Sequence, residues 1–189
     1  FDNADAEAIV FHAGFATRVD EIRARLPHVK CWIALEEPGF CAPPWAESYE
    51  HIVAAAPTKR PTLAPWERAN DDLLILYTGG TTGLPKGVMW RQEDQIGVTG
   101  FGGSLLLGVP PLARPEEAAE RIAQFPRRIG LVACPLMHGT GLFSALMTLL
   151  AGGAVALLPS RHFDAEELWD QVARHRVTSI AIVGLPFAQ

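Results

Sequence analysis

Cysteine is scarce in this chain of 189 residues: Cys31, Cys41 and Cys134 are an odd number, and no CxxC pair occurs. That argues against a disulfide framework or a structural zinc site and for a reducing setting, the cytoplasm. Positive charge is short as well, with 16 Lys and Arg against 21 Asp and Glu and a net charge of −5. A duplex nucleic acid needs a basic face, so no nucleic-acid partner is expected. Repeats and low-complexity tracts are missing, and no basic segment leads into an apolar one at the start, so no secretion signal is read. One stretch, residues 139–160, is uncharged and long enough to cross a bilayer. Gly152-Gly153 divides it into a helix-length and a strand-length piece, so a helix-turn-strand unit is expected and no integral membrane span. What remains is an ordinary globular composition, 49% hydrophobic and 20% charged, with enough length for one sizeable core. The chain opens on Phe1 without an initiator methionine and reads as an excised piece of a longer protein.

Along the chain, residues 8–12 form a short apolar run, and Phe15, Val19, Ile22 and Leu26 recur behind it at helical spacing. Pro27 ends that helix and residues 31–35 read as the next strand, so a strand-helix-strand unit opens the sequence. Trp45, Tyr49, Ile52, Val53 and Ala56 predict a second amphipathic helix. Arg91-Gln92-Glu93-Asp94 opens another, and residues 116–124 are a polar helix candidate inside a Gly- and Pro-interrupted surface excursion. Residues 131–134 predict a buried strand, with Cys134 a small hydrophobe in it. Leu142, Phe143, Leu146, Met147 and Leu150 predict a helix apolar nearly all round, hence buried. A strand at 154–158, a helix capped by Asp164 with Glu167, and a strand at 177–183 complete the reading. The predicted class is α/β, with partly parallel sheet layers, flanking helices and strands covered on both faces.

Two stretches carry chemistry. The apolar run 73–77 feeds into Thr78-Gly79-Gly80-Thr81-Thr82-Gly83-Leu84-Pro85-Lys86-Gly87. Glycines let backbone N–H groups converge on an oxyanion, threonine hydroxyls add donors, and Lys86 adds a positive charge. A Gly-Thr turn between two strands is the plainer reading, but the density of donors beside a lysine favours an anion cradle. A Walker A loop is excluded, because Pro-Lys-Gly stands where that pattern needs Gly-Lys-Ser/Thr. The second stretch, Pro135-Leu136-Met137-His138-Gly139-Thr140-Gly141, lies between a predicted strand and helix, an address where open parallel sheets gather ligands.

Residues 77–88 closely resemble the phosphate loop of the adenylate-forming, AMP-binding superfamily, with Gly79 where its commonest form has serine. Pro135-Leu-x-His138-x-x-Gly141 resembles that superfamily's motif whose histidine lines the wall between acyl pocket and adenylate. The run Gly87-Val88-Met89-Trp90-Arg91-Gln92-Glu93-Asp94 looks most like bacterial fatty-acid or steroid-acid CoA ligases. The tail at Gly184, Leu185, Pro186 and Phe187 departs from the family pattern. The resemblance implies ATP-dependent activation of a carboxylic acid to an acyl-adenylate, then to acyl-CoA, with ATP, CoA and Mg²⁺ taking part. It implies that Thr78, Gly79, Gly80, Thr81, Thr82, Gly83 and Lys86 hold phosphate and that His138, Gly139 and Thr140 border the acyl substrate. Residues 1–189 are then a fragment of the large N-terminal domain. The adenine and ribose segment, the acidic magnesium ligand, and the C-terminal lid domain with its catalytic lysine lie outside it. No metal ligand and no catalytic residue is therefore assigned here, and the fragment alone is expected to be inactive. The rival readings are a non-catalytic nucleotide- or phosphate-binding module and an adenylation domain serving a carrier protein.

Overall fold

The computed structural model describes residues 1–59, 69–79, 83–101, 113–114, 116–124, 127–160 and 162–184. Its contacts separate into two units, Phe1–Trp66 and Glu67–Gln189.

In the first unit a parallel sheet runs β1 (Ala8–His12), β2 (Cys31–Leu35), β3 (Glu47–Ser48), in that order. The register pairs Ala8 with Cys31 and His12 with Leu35. Helix α1 (Ala16–Arg23) is the crossover between β1 and β2, shorter than its apolar spacing suggests. Ile9 and Phe11 turn one face of β1 into a core with Val19, Leu26, Val29 and Ala34, while Val10 on the other face is exposed. This corrects the expectation of strands covered on both faces: period-2 alternation leaves Val10 opposite the core, and no described element of the unit packs over it. A second correction concerns Trp45, expected on a helix. It precedes β3, stacks on Phe11 with ring centroids 5.5 Å apart and meets Trp32 edge-on at 6.0 Å. Helix α2 (Tyr49–Ala55) starts only at the Ser48 cap, whose hydroxyl accepts from the His51 N–H.

The second unit holds two sheets. Strands β4 (Leu73–Thr78) and β5 (Lys86–Arg91) form an antiparallel hairpin in which Leu74 opposes Trp90, Leu76 opposes Val88 and Thr78 opposes Lys86. Gly87 leaves room for the Tyr77 ring opposite it, since a Cβ there would come within 3.3 Å of the ring. Helix α3 (Gln92–Ile96) continues into a π-helical turn at Gly97–Phe101, and α4 (Glu117–Gln124) coincides with the polar helix candidate. A parallel sheet follows with β6 (Ile129–Val132) central between β7 (Ala154–Leu157) and β8 (Ser179–Ala181). Leu131 and Val132 are buried, as the middle strand of a parallel sheet requires.

Helix α5 (Gly139–Leu150) connects β6 to β7 and α6 (Ala165–His175) connects β7 to β8. Gly141, Ala145 and Thr148 are the buried stripe of α5, whereas Leu149 and Leu150 are exposed, so the helix is buried on one side instead of all round. Asp164 caps α6 by accepting from the N–H groups of Glu166 and Glu167. Glu167 accepts from the Ser160 hydroxyl. The uncharged stretch 139–160 resolves into α5, a Gly152-Gly153 turn and β7, and no described helix is long and apolar enough to cross a membrane.

Candidate functional site

The site lies where β4, β5 and the start of α5 meet. The turn leaving β6 is closed by the His138 N–H donating to the Pro135 carbonyl at 2.9 Å. His138 is then the N-cap of α5: its backbone is extended and its Nδ1 accepts from the Thr140 N–H at 3.2 Å. With Nδ1 occupied as an acceptor, the proton of the neutral ring sits on Nε2. Gly141 explains the spacing of the motif. A Cβ there would fall 2.4 Å from the Pro135 carbonyl oxygen and 3.0 Å from that of Cys134, so only glycine lets the helix start flush against the end of β6. Gly139 plays a milder version of the same part, leaving Leu76 of the hairpin room 3.3 Å from where its Cβ would be.

Between hairpin and helix is a cleft of about 970 Å³. Thr78, Gly79, His138 and Thr140 give it a polar end, and Leu76, Val88 and Trp90 of the hairpin with Phe143 and Met147 of α5 give it apolar walls. Trp90 meets Phe143 edge to face with ring centroids 5.2 Å apart. Directly opposed residues of an antiparallel pair share a face, so Lys86 projects from the same side of the hairpin as Thr78. Arg91, at the other end of β5, is engaged by Asp71 at 2.6 Å and by Glu93 and Asp94, and Asp71 foremost raises its guanidinium further above its ordinary value.

Of the predicted site residues, Thr78, Gly79, His138, Gly139 and Thr140 line this one cleft. Lys86 does not line it; it stands exposed at the mouth of the hairpin across from Thr78. Gly83 is exposed and lies outside the lining, and Gly80, Thr81 and Thr82 lie outside the described residues. Residues 185–187 of the tail also lie outside them. Among the described residues no group of three His, Cys, Asp or Glu side chains could hold a metal ion. Cys134, at the end of β6, is buried, and that burial pushes its thiol pKa up, away from nucleophilic use. The apolar walls escaped the motif reading. Counting back by twos from Thr78 along β4 would have found Leu76, and counting across the hairpin, Val88 and Trp90.

Residues 1–186 match the family described as AMP-binding enzyme. This chain belongs to that family. Among similar AMP-binding enzymes is the medium-chain acyl-CoA ligase Mig of Mycobacterium avium, 37% identical over 185 residues, covering 96% of this chain and 33% of that protein. Another is the 3-oxocholest-4-en-26-oate–CoA ligase of Rhodococcus rhodochrous, 33% identical over 188 residues, covering 97% of this chain and 32% of that one. The fold is shared with solved AMP-binding enzymes. The anthranilate CoA ligase crystallised with anthranoyl-AMP superposes with a TM-score of 0.70 at 20% identity, over 93% of this chain and 30% of that one. The acyl-CoA synthetase of Brucella canis superposes with 0.63 at 22%, over 95% and 29%. The chain spans about a third of the length of the curated relatives it matches.

Proposed function

We propose that this chain is the part of an ATP-dependent acid–CoA ligase that grips the triphosphate and one wall of the acyl substrate. The observation that carries the reading is the cleft itself: the residues opening the phosphate-type loop, Thr78 and Gly79, and the motif histidine, His138, border a single cavity that turns apolar beyond them. A carboxylate is a poor electrophile, and activating it means bringing it against a triphosphate of the same charge. That calls for donors and a cation at one end and a dry apolar wall at the other. In this reading the carboxylate oxygen attacks the α-phosphorus of ATP, the bond from that phosphorus to the α,β-bridging oxygen breaks, pyrophosphate leaves with that oxygen, and an acyl-adenylate forms. The CoA thiol then displaces AMP to give the thioester.

Thr78, Gly79, Gly80, Thr81, Thr82, Gly83 and Lys86 hold the β- and γ-phosphates and the departing pyrophosphate; Lys86 reaches them from the hairpin mouth. His138, with Gly139 and Thr140, borders the acyl carboxyl. Mg²⁺ would offset phosphate charge; among the described residues no group of three His, Cys, Asp or Glu side chains could hold it. The names of the similar ligases suggest medium- or long-chain fatty acids or a steroid-type acid as substrate. The residues beyond this chain would supply the adenine site and the lid of an N-terminal-plus-lid architecture. The 189-residue chain alone is therefore inactive in this reading. The cytoplasm, suggested by three unpaired thiols, is where we place the protein.

The test is ATP–pyrophosphate exchange by the full-length protein across fatty, aromatic and steroid-type acids. Exchange that depends on a fatty or steroid acid and falls on Lys86→Ala is the expected result. Exchange with no acid of the panel would overturn it, and retained ATP binding in that case would favour a phosphate-binding module.

A further inference from the structure

Trp90 and Phe143 have no role in the proposed chemistry, yet both are large, both border the cleft, and each fixes the other's ring through an edge-to-face contact at 5.2 Å. We propose that this pair narrows the apolar part of the cleft and sets the longest acyl chain that the site accepts. The inference rests on the reading of the cleft as an acyl site.

Two independent counts give the depth available. Trp90 is opposed by Leu74, four residues before Thr78 on β4; at about 3.3 Å per residue the pair lies about 13 Å beyond the polar end. On α5, Phe143 follows the His138 cap by five residues, about 7.5 Å at 1.5 Å per residue. A carboxylate held at the polar end therefore meets the pair after on the order of six to eleven carbon–carbon bonds, each advancing an extended chain by about 1.2 Å. That is the length of a medium-chain acid. A long-chain tail, or the ring system of a steroid acid, would have to displace an aromatic pair whose two members sit on different elements. Trp90 is anchored on the hairpin by its place opposite Leu74, and Phe143 is held one turn past Gly139 and two residues past Gly141, which packs closely against the Pro135 backbone. Displacing the pair therefore costs an aromatic contact as well as buried apolar area.

The experiment is acyl-CoA formation by the full-length protein on straight-chain acids of increasing length, with Trp90→Leu, Phe143→Ala and the milder Trp90→Phe and Phe143→Leu, each checked by thermal melting. The expected result is a wild-type preference for medium chains. In each truncated variant that folds, the ratio of kcat/KM for a long acid to that for a medium acid rises by about tenfold or more, the scale of one or two methylenes in an apolar pocket. Trp90→Phe keeps a ring and shifts the ratio least. If Trp90→Leu or Phe143→Ala fails to fold, the milder variants carry the test, because a purely packing role lowers kcat/KM for all lengths alike and leaves the ratio unmoved. An unmoved ratio in folded variants, or a wild type that already takes long chains as well as medium ones, overturns the proposal while leaving the ligase reading intact. A wild type that activates no carboxylic acid overturns both.

Discussion

A single methyl group at residue 141 shows how little freedom the site motif has. It would sit 2.4 Å from the Pro135 carbonyl oxygen, a backbone atom that cannot swing aside as a side chain could. Gly141→Ala should therefore push α5 away from β6, carrying the His138 cap and the apolar wall with it. Overpacking of this kind costs about 1–3 kcal/mol, a fall in Tm of several degrees. Calorimetry and acyl-CoA formation measured together should show both losses, and a variant with unchanged Tm would contradict the geometry. At this scale the sequence was legible in part. His138, Thr78 and Gly79 could be named because the motifs carry them, and the structure places them on one cleft. Trp90 falls in the run 87–94 and Phe143 follows the histidine motif, but nothing in their own neighbourhoods marks them as facing each other across fifty residues of chain. Lys86 was named with the rest, yet it stands exposed outside the cleft lining, because a charge on the end strand of a hairpin turns outward to water unless something anionic draws it in.

Among the elements, the loop joining β2 to α2 shows how a terminus is fixed by something remote in sequence. Glu36 accepts from the Ala42 N–H at 2.8 Å and from the Ser48 hydroxyl, and the same hydroxyl caps α2 by accepting from the His51 N–H. The Ser48 hydrogen bond, ahead of that from Ala42, holds the Glu36 carboxyl below its ordinary pKa of 4.5. A depressed carboxylate stabilises the folded chain at pH values above the unfolded pKa. That contribution is lost as the pH falls from about 4.5 through the lower folded value. Ser48→Ala should flatten this acid-side loss and also shorten α2, which acid titration followed by far-UV circular dichroism would show. An unchanged acid limb would mean that the hydroxyl does not hold the carboxylate in solution.

The same stretch marks where element reading failed. Trp45, Tyr49, Ile52 and Val53 fit a helical period, but Trp45 is drawn off into the stack with Phe11 and Trp32, and the helix begins only after Ser48. Burying a large aromatic outweighs continuing a periodic pattern by one turn. Elements whose ends carry their own stop signals fared better. Gly152 with a left-handed φ of 78° ends the turn after α5, and the Asp164 cap starts α6.

For the molecule as a whole, the hairpin is the part most in need of company. Its cleft-facing residues Leu76 and Trp90 are half-buried, whereas Leu73, Ile75, Tyr77 and Met89 project from the opposite face and are exposed, Met89 to 67%. Two strands alone are marginal in water, so the contact with α5 is what steadies them on one side. A contiguous apolar face of this kind should enhance the emission of an environment-sensitive apolar dye added to the 189-residue chain. Ile75→Ser with Met89→Ser should lower that signal while leaving the cleft-facing side as it is. Equal emission from the double variant would place the exposed apolar surface elsewhere.

The amino-acid order by itself determined the α/β class, the family, and the two motifs, because glycine, threonine, lysine and histidine at fixed spacing act through local backbone geometry that needs no distant partner. Only tertiary structure decided that the loop strands pair antiparallel while their neighbours are parallel, that one face of β1 stays open, and that Trp90 and Phe143 meet in the wall of one cleft. Strand direction and long-range contact depend on which surfaces find each other in space. Period and composition are silent on that choice, since the same alternating pattern buries equally well against several partners.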